Sequence, residues 1–145
     1  MAQAATQMRN EAQAQNPRAE FHGTFCWNEL MTLDEKAAQQ FYANTIGWSF
    51  DPMPMDWGTY WIIKQGDKRV GGMVEMKEKC PGISGDSWMP YLAVDDIDAR
   101  AKKAIAAGAS FIREPFDVPG VGRIAILREP GGAAVGWMTP NPSMS

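Results

Sequence analysis

The side chains able to do chemistry are few, and histidine sets the first bound. His22 is the single histidine in 145 residues. A site that needs two or three imidazoles therefore cannot be built from one chain, which removes many metal-hydrolase arrangements. Cys26 and Cys80 sit in unrelated contexts with no CxxC spacing. They read as reduced thiols, Cys26 as a small core residue facing a helix, Cys80 beside Pro81 as a loop thiol with no activating base in view. The residue best placed for acid–base work is Glu29. Thr24 to Thr32 reads as a strand, and alternation puts Phe25, Trp27, Glu29 and Met31 on one face, with Cys26, Asn28, Leu30 and Thr32 on the other. A carboxyl group among two aromatics and a methionine loses water, and desolvation raises its pKa. That suits a general base or an acceptor for a polar ligand; the structural alternative is an ion pair with an arginine or a cap on a backbone amide. Arg123 follows Gly120-Val121-Gly122 at the mouth of a strand. Its guanidinium can grip a ligand carboxylate or phosphate, or hold a structural ion pair. The Gly-x-Gly precedes a strand rather than opening a helix, so it is no nucleotide fingerprint.

These residues must be held by a larger pattern. After the first strand, Asp34 opens a helix, with Ala37, Ala38, Phe41 and Tyr42 as its packing face and Gly47 as its stop. Trp48 to Met53 predicts a short strand ended by Pro52 and Pro54. Thr59 to Gln65, turned at Gly66-Asp67 into Arg69 to Met76, predicts a hairpin. Lys77 to Asp86 is a connector. The order then recurs. Trp88 to Val94 is a strand, and Asp95 or Asp96 caps a helix through Ala99, Ile105 and Ala106 to Gly108. Ser110 to Arg113 is a strand ended by Pro115, Arg123 to Arg128 another, and Ala133 to Met138 the last. Placing Asp34 over Asp96, an offset of 62, puts Trp27 over Met89, Glu29 over Tyr91 and Leu30 over Leu92. In the later hairpins an offset of 64 puts Ile62 over Ile126 and Gly72 over Gly136. The fold class predicted is α+β: two tandem βαβββ modules forming a curved mixed sheet around a cleft, with helices on the outside. Residues 1–20, rich in Ala and Gln, are expected to be a flexible extension. Residues 21–142 form a single domain, with module one at about 23–80 and module two at about 85–140.

Three stretches carry a family resemblance: ELMTLDEKAAQQFYANTIGW, YLAVDDIDARAKKAIAAGASFIREP and GVGRIAILREPGGAAVGWMTP. In this order they resemble the vicinal oxygen chelate superfamily, which includes glyoxalase I, bleomycin-resistance proteins and extradiol dioxygenases. The likeness covers roughly residues 22–140, and it is nearest to glyoxalase-like proteins with a Trp-x-Glu-Leu first strand. It implies two modules side by side around a cleft. In the metal-dependent members, four strand positions furnish His, Glu or Gln ligands. Carried over one at a time, those positions fall on Trp27, seven residues before Asp34, on Met89, seven before Asp96, on Gly136 after the Pro-Gly turn, and on its repeat partner Gly72. An indole nitrogen only donates, a lone thioether is soft and glycine has no side chain, so this quartet is no hard-metal site.

The resemblance puts Trp27 in the cleft, and Glu29 with it. Tyr91, at the equivalent place in the second module, is expected to face Glu29 and to bind a polar group or donate a proton, or to be an ordinary core tyrosine. Trp27 and Met89 suit an apolar pocket or plug it; Gly72 and Gly136 leave room for a ligand or permit close strand packing. The function expected is a metal-free, glyoxalase-like protein that binds a small, largely apolar or aromatic molecule, with no cofactor. The alternatives are a metal-independent lyase or isomerase using Glu29 as base, and a structural or regulatory homodimer with a plugged cleft. The resemblance also implies a homodimer, and six Trp, ten Met and six Phe supply apolar surface for one.

A formal charge of −3 without a basic block argues against nucleic acid as partner. No apolar run approaches the roughly 18 residues of a membrane span, and the first twenty residues lack the apolar core of a secretory signal. The expected location is cytoplasmic. Elemental analysis of protein purified without added metal is expected to find no stoichiometric zinc, nickel, iron or manganese; one equivalent of any of them would overturn the expectation.

Overall fold

A computed structural model of the protein describes residues 20–77 and 85–141. The proposed extension up to residue 19, and most of the connector with Cys80, lie outside the described residues. Within them the chain runs β1 (Thr24–Thr32), α1 (Glu35–Thr45), β2 (Ser49–Met55), β3 (Gly58–Gln65), β4 (Lys68–Glu75), β5 (Ser87–Ala93), α2 (Ile97–Ala106), β6 (Ser110–Val118), β7 (Gly122–Arg128) and β8 (Ala134–Pro140). The strands form one eight-stranded mixed sheet in the order β2-β3-β4-β1-β5-β8-β7-β6. Each module contributes four neighbouring strands, and the first strands, β1 and β5, meet antiparallel at the centre.

The repeat holds at the level of register. Glu29 pairs with Gly72 between parallel β1 and β4, as Tyr91 pairs with Gly136 between β5 and β8. Leu30 faces Met73 as Leu92 faces Trp137. Ile62 opposite Gly72 matches Ile126 opposite Gly136. Both helices start alike: Asp34 accepts from the Ala37 amide and Asp96 from the Ala99 amide, at 3.1 and 3.2 Å, so each aspartate satisfies a first-turn N–H that lacks an intrahelical partner.

The two sheet faces carry different cores. On the helix side, Leu30, Ile63 and Met73 pack with Ala38, Tyr42, Trp48 and Trp61, while Ala104, Leu127 and Val135 pack beside Leu92 and Phe111. On the opposite, concave side, Met31, Met76, Met89, Tyr91, Ile124 and Met138 form a third cluster, flanked by Trp27, Val74, Phe116 and Ile126. The helix faces are narrower than the spacing predicts. Phe41 is 59% exposed and Ala37 faces solvent, leaving Ala38 and Tyr42, one turn apart, as the contact. On α2 the buried residues are Ile97, Ala101 and Ala104, with Ile105 outside.

Prolines do not end strands where the sequence reading ends them. β2 continues through Pro52 and Pro54, and β6 through Pro115. Both are edge strands, where a missing N–H costs no ladder bond on the open side. Bulges also shift faces. Phe25 pairs with Leu92 and Trp27 with Tyr91, which leaves Cys26 as the extra residue. Cys26 is therefore exposed rather than packed under a helix, and Phe25 shares the side of Leu92 and lies 69% exposed, outside the cleft.

Gly72 and Gly136 sit where tyrosines cross. A Cβ at Gly72 would overlap the Tyr60 hydroxyl and ring, and one at Gly136 would overlap the Tyr91 ring. The room left by the two glycines is filled by these side chains rather than left open. Gly136→Ala is expected to cost about 1–3 kcal/mol in urea unfolding through overpacking. In a Tyr91→Ala background the same change is expected to cost much less, because the clash partner is gone; equal costs in both backgrounds would refute the packing role.

Candidate functional site

Trp27, Glu29 and Met31 alternate onto the concave side of β1, at the centre of the sheet. β1 has β4 on one side and β5 on the other, so Glu29 can be reached from both modules. From β5, the Tyr91 hydroxyl donates to Glu29 Oε2 at 3.0 Å. From β3, Tyr60 reaches across Gly72; its oxygen accepts the Trp27 indole N–H at 2.8 Å, and its own proton serves Glu29. The result is a continuous chain from the Trp27 indole through Tyr60 to Glu29, closed from the other side by Tyr91.

Burial dominates the electrostatics here. It pushes the Glu29 carboxyl above the ordinary carboxylate range, and hydrogen bonds from Tyr91 and then Tyr60 pull it part of the way back. Burial, followed by the charge of Glu29, raises both tyrosines well above a free phenol, so the two hydroxyls stay protonated and remain donors. A carboxylate in poor solvent with phenols fixed on it is a competent proton acceptor and a firm anchor for a ligand's donor.

The residues singled out in the sequence fall into three groups. Trp27, Glu29 and Tyr91 come together directly, and Tyr91 faces Glu29 as the repeat predicts. Met89 is 1% exposed; it forms the floor beneath this group rather than a reachable wall. Arg123 lies elsewhere. It is forked onto Asp98 at 3.0 and 3.1 Å and also meets Asp117 at 3.3 Å, beside an open groove of about 350 Å³ lined by Asp96, Asp98 and Thr139. Its guanidinium is thus held in a structural ion-pair cluster, the second of the two uses the sequence leaves open. His22 accepts the Asp95 amide through Nδ1 at 3.0 Å and so supports the approach to α2.

Tyr60 is the participant the sequence reading misses. The signal was available: it lies on β3 two residues from Ile62, the partner of Gly72, hence on the same face as that glycine.

With this geometry in place, likeness to known proteins can be read. No family model matches the chain. CFP32, provisionally named a glyoxylase, from Mycobacterium tuberculosis and Mycobacterium bovis, is 43% identical over 121 residues, 83% of this chain and 45% of theirs. The anthracycline biosynthesis protein DnrV of Streptomyces peucetius is 32% identical over 127 residues, 77% of this chain and 45% of its own. The chain thus spans less than half the length of these curated relatives. Among solved structures, methylmalonyl-CoA epimerase from Mycobacterium tuberculosis superposes with a TM-score of 0.59 at 14% identity, over 84% of this chain and 90% of that one. The Mn(II)-bound glyoxalase from Novosphingobium aromaticivorans gives 0.54 at 21%, over 79% and 38%. The chain has the fold of the vicinal oxygen chelate superfamily.

A divalent metal is what that superfamily's fold implies, and the side chains at the four matched positions do not fit one. Trp27 spends its N–H on Tyr60, Met89 is buried, and Gly72 and Gly136 lie under tyrosines. Among the described residues no three His, Cys, Asp or Glu side chains cluster to hold an ion.

The raised carboxyl gives a signed expectation. A carboxyl whose native pKa lies above its unfolded value of about 4.3 favours the folded state while protonated. That contribution is complete below the unfolded pKa and is lost as pH rises through the native one. Glu29→Gln keeps the shape without the charge, so its stability relative to the parent is expected to be higher at neutral pH and to converge downward as pH falls toward 4. Urea unfolding of both proteins from pH 4 to 8 checks this; a gap that does not vary with pH would remove the desolvated-carboxyl reading.

Proposed function

We propose that this protein is a metal-free, glyoxalase-like binder of a small, largely apolar or aromatic molecule, held on the concave face with Glu29 as its polar anchor. The observation that carries the reading is the setting of Glu29: one carboxylate, oriented by two tyrosine hydroxyls, in a face otherwise built of Trp27, Met31, Met89, Phe116 and Ile126. Such a face gains from covering apolar ligand surface, while the single carboxylate fixes orientation through a ligand N–H or O–H. Kinship with a protein named for anthracycline biosynthesis is compatible with an aromatic occupant. The reading includes pairing of two chains, supported by exposed Phe41, Ile46 and Trp88 around Tyr42.

A second reading follows from one observation, the raised carboxyl of Glu29. A desolvated carboxylate is a better base than a solvated one, and it suits taking a proton from a carbon next to a carbonyl. On an α-hydroxy carbonyl compound the C–H electron pair moves into a new C=C as the carbonyl oxygen takes up the charge; the hydroxyl proton passes to that oxygen, and the proton on Glu29 is delivered to the former carbonyl carbon as the carbonyl re-forms at the hydroxyl oxygen. This is metal-independent isomerase chemistry.

One set of measurements separates the readings. A thermal-shift screen of metabolites and antibiotics, with and without divalent metals, is expected to yield stabilising aromatic compounds whose effect is independent of metal. Glu29→Gln is expected to weaken them by about tenfold. Exchange of substrate C–H for deuterium that is lost in Glu29→Gln while binding persists would assign the enzyme; a screen in which nothing stabilises the protein would leave the cleft plugged. Sedimentation of the same samples is expected to show a dimer.

A further inference from the structure

Edge strand β6 carries a second polar group to the concave face. Phe111 pairs with Leu127, but after a register shift Arg113 pairs with Ile126, and after another Phe116 pairs with Ile124. Directly paired residues share a face. Leu127 belongs to the helix-side core, whereas Ile126 and Ile124 belong to the concave cluster. Simple alternation would keep Arg113 on the side of Phe111; the bulge turns it over. It then ends a continuous cross-strand row on the concave face: Arg113, Ile126, Gly136, Tyr91, Trp27.

The guanidinium is positioned but not neutralised. Its Cζ stands 3.5 Å from the centroid of the Phe116 ring, and Phe116 is itself packed against the concave cluster. The described residues include no carboxylate within ion-pair distance of it, in contrast to Arg100 on Asp95 and Arg123 on Asp98. Arg113 is solvent-exposed, and its charge is felt at the Tyr91 hydroxyl, where it opposes the upward push of burial and Glu29.

We propose that Arg113 is the anion-binding end of the cleft, so that the ligand is an aromatic molecule bearing a carboxylate or phosphate, its charged group on Arg113 and its ring toward Tyr91 and Glu29. This rests on the ligand-binding reading above and adds the substrate class to it. An arginine stacked on an aromatic ring presents its fork with little freedom left to lose, which suits a planar two-oxygen acceptor. Arg113 at one end of the row and Glu29, bonded to Tyr91 next to Trp27 toward the other, fix the ligand's direction: an anionic head at the rim and a neutral donor or acidic C–H inside, since an anion beside Glu29 would be repelled.

The test uses three probes: phenylpyruvate, phenyl phosphate and methyl phenylpyruvate, the last the uncharged counterpart of the first. Binding is followed on the full chain by the indole N–H resonances in two-dimensional NMR, with the Trp27 signal assigned through Trp27→Phe. At least one anionic probe is expected to bind the parent roughly tenfold or more tighter than the neutral ester, to shift the Trp27 signal and to weaken with added salt. Which anion wins separates a carboxylate head from a phosphate head. Arg113→Gln is expected to abolish the preference while leaving ester binding unchanged, and Arg113→Lys to restore part of it. If anion and ester bind alike, or Arg113→Gln leaves the preference intact, the assignment of Arg113 is wrong and the binding reading survives. If no probe moves the Trp27 signal at millimolar concentration, the binding reading fails and the assignment with it.

Discussion

A carboxyl group at the centre of a mostly apolar sheet face needs donors, and the strands beside it have to supply them. Glu29 stands on β1 with neighbours on both sides, and its partners are phenols from β3 and β5. A tyrosine is long enough to reach over an intervening strand only if that strand leaves space. Tyr60, on β3, therefore requires Gly72 beneath it on β4, whereas Tyr91, on β5 directly beside β1, crosses no strand and lies with its ring against Gly136 of β8. These glycines stand at two of the four positions that the family resemblance matches to metal ligands. A larger side chain at either glycine would displace a tyrosine that Glu29 depends on.

The two modules share a backbone pattern but not their chemistry. Register repeats pair for pair, yet Glu29 in one module corresponds to Tyr91 in the other. Two carboxylates at these places would repel across the module boundary, and two tyrosines would leave no charge to work with. One of each makes a donor–acceptor pair at 3.0 Å. The symmetry of the sheet brings the two positions together, and the difference in residue type makes the contact favourable.

Most of the architecture was legible in the sequence because it rests on alternation, turns and caps, which are local. The span of β1, the hairpin of β3 and β4, both capping aspartates and the repeat offsets follow from such signals. The strand ends at Pro52, Pro54 and Pro115 did not, since proline is tolerated or excluded according to strand position in the sheet, a non-local property. The face of Glu29 and its meeting with Tyr91 were legible through the repeat. Tyr60 was missed although its face follows from the hairpin, because its role comes from reach across a glycine rather than from pairing. Arg123 shows a further limit: one residue type serves a ligand or an ion pair, and only the approach of Asp98 and Asp117 decides between them.

Bulges account for what parity alone gets wrong, and they shape the candidate site more than any one side chain does. The extra residue Cys26 turns Phe25 out of the cleft, which leaves the top of β1 less crowded next to Trp27. The first irregularity in β6 turns Arg113 in, while the second keeps Phe116 on the concave face that alternation from Phe111 already gives it, and a cation stands at a rim that alternation would leave without one. An arginine turned inward on an edge strand also guards that edge against pairing with another chain. The same backbone defect can thus serve solubility and recognition together. Because each bulge acts by one residue on one strand, the rest of the register is untouched and the tyrosine–glycine crossings that support Glu29 keep their geometry. What the concave face offers to a ligand is therefore set in part by local departures from a regular repeat in β1 and β6, and the regular repeat holds the neighbouring pairs in place.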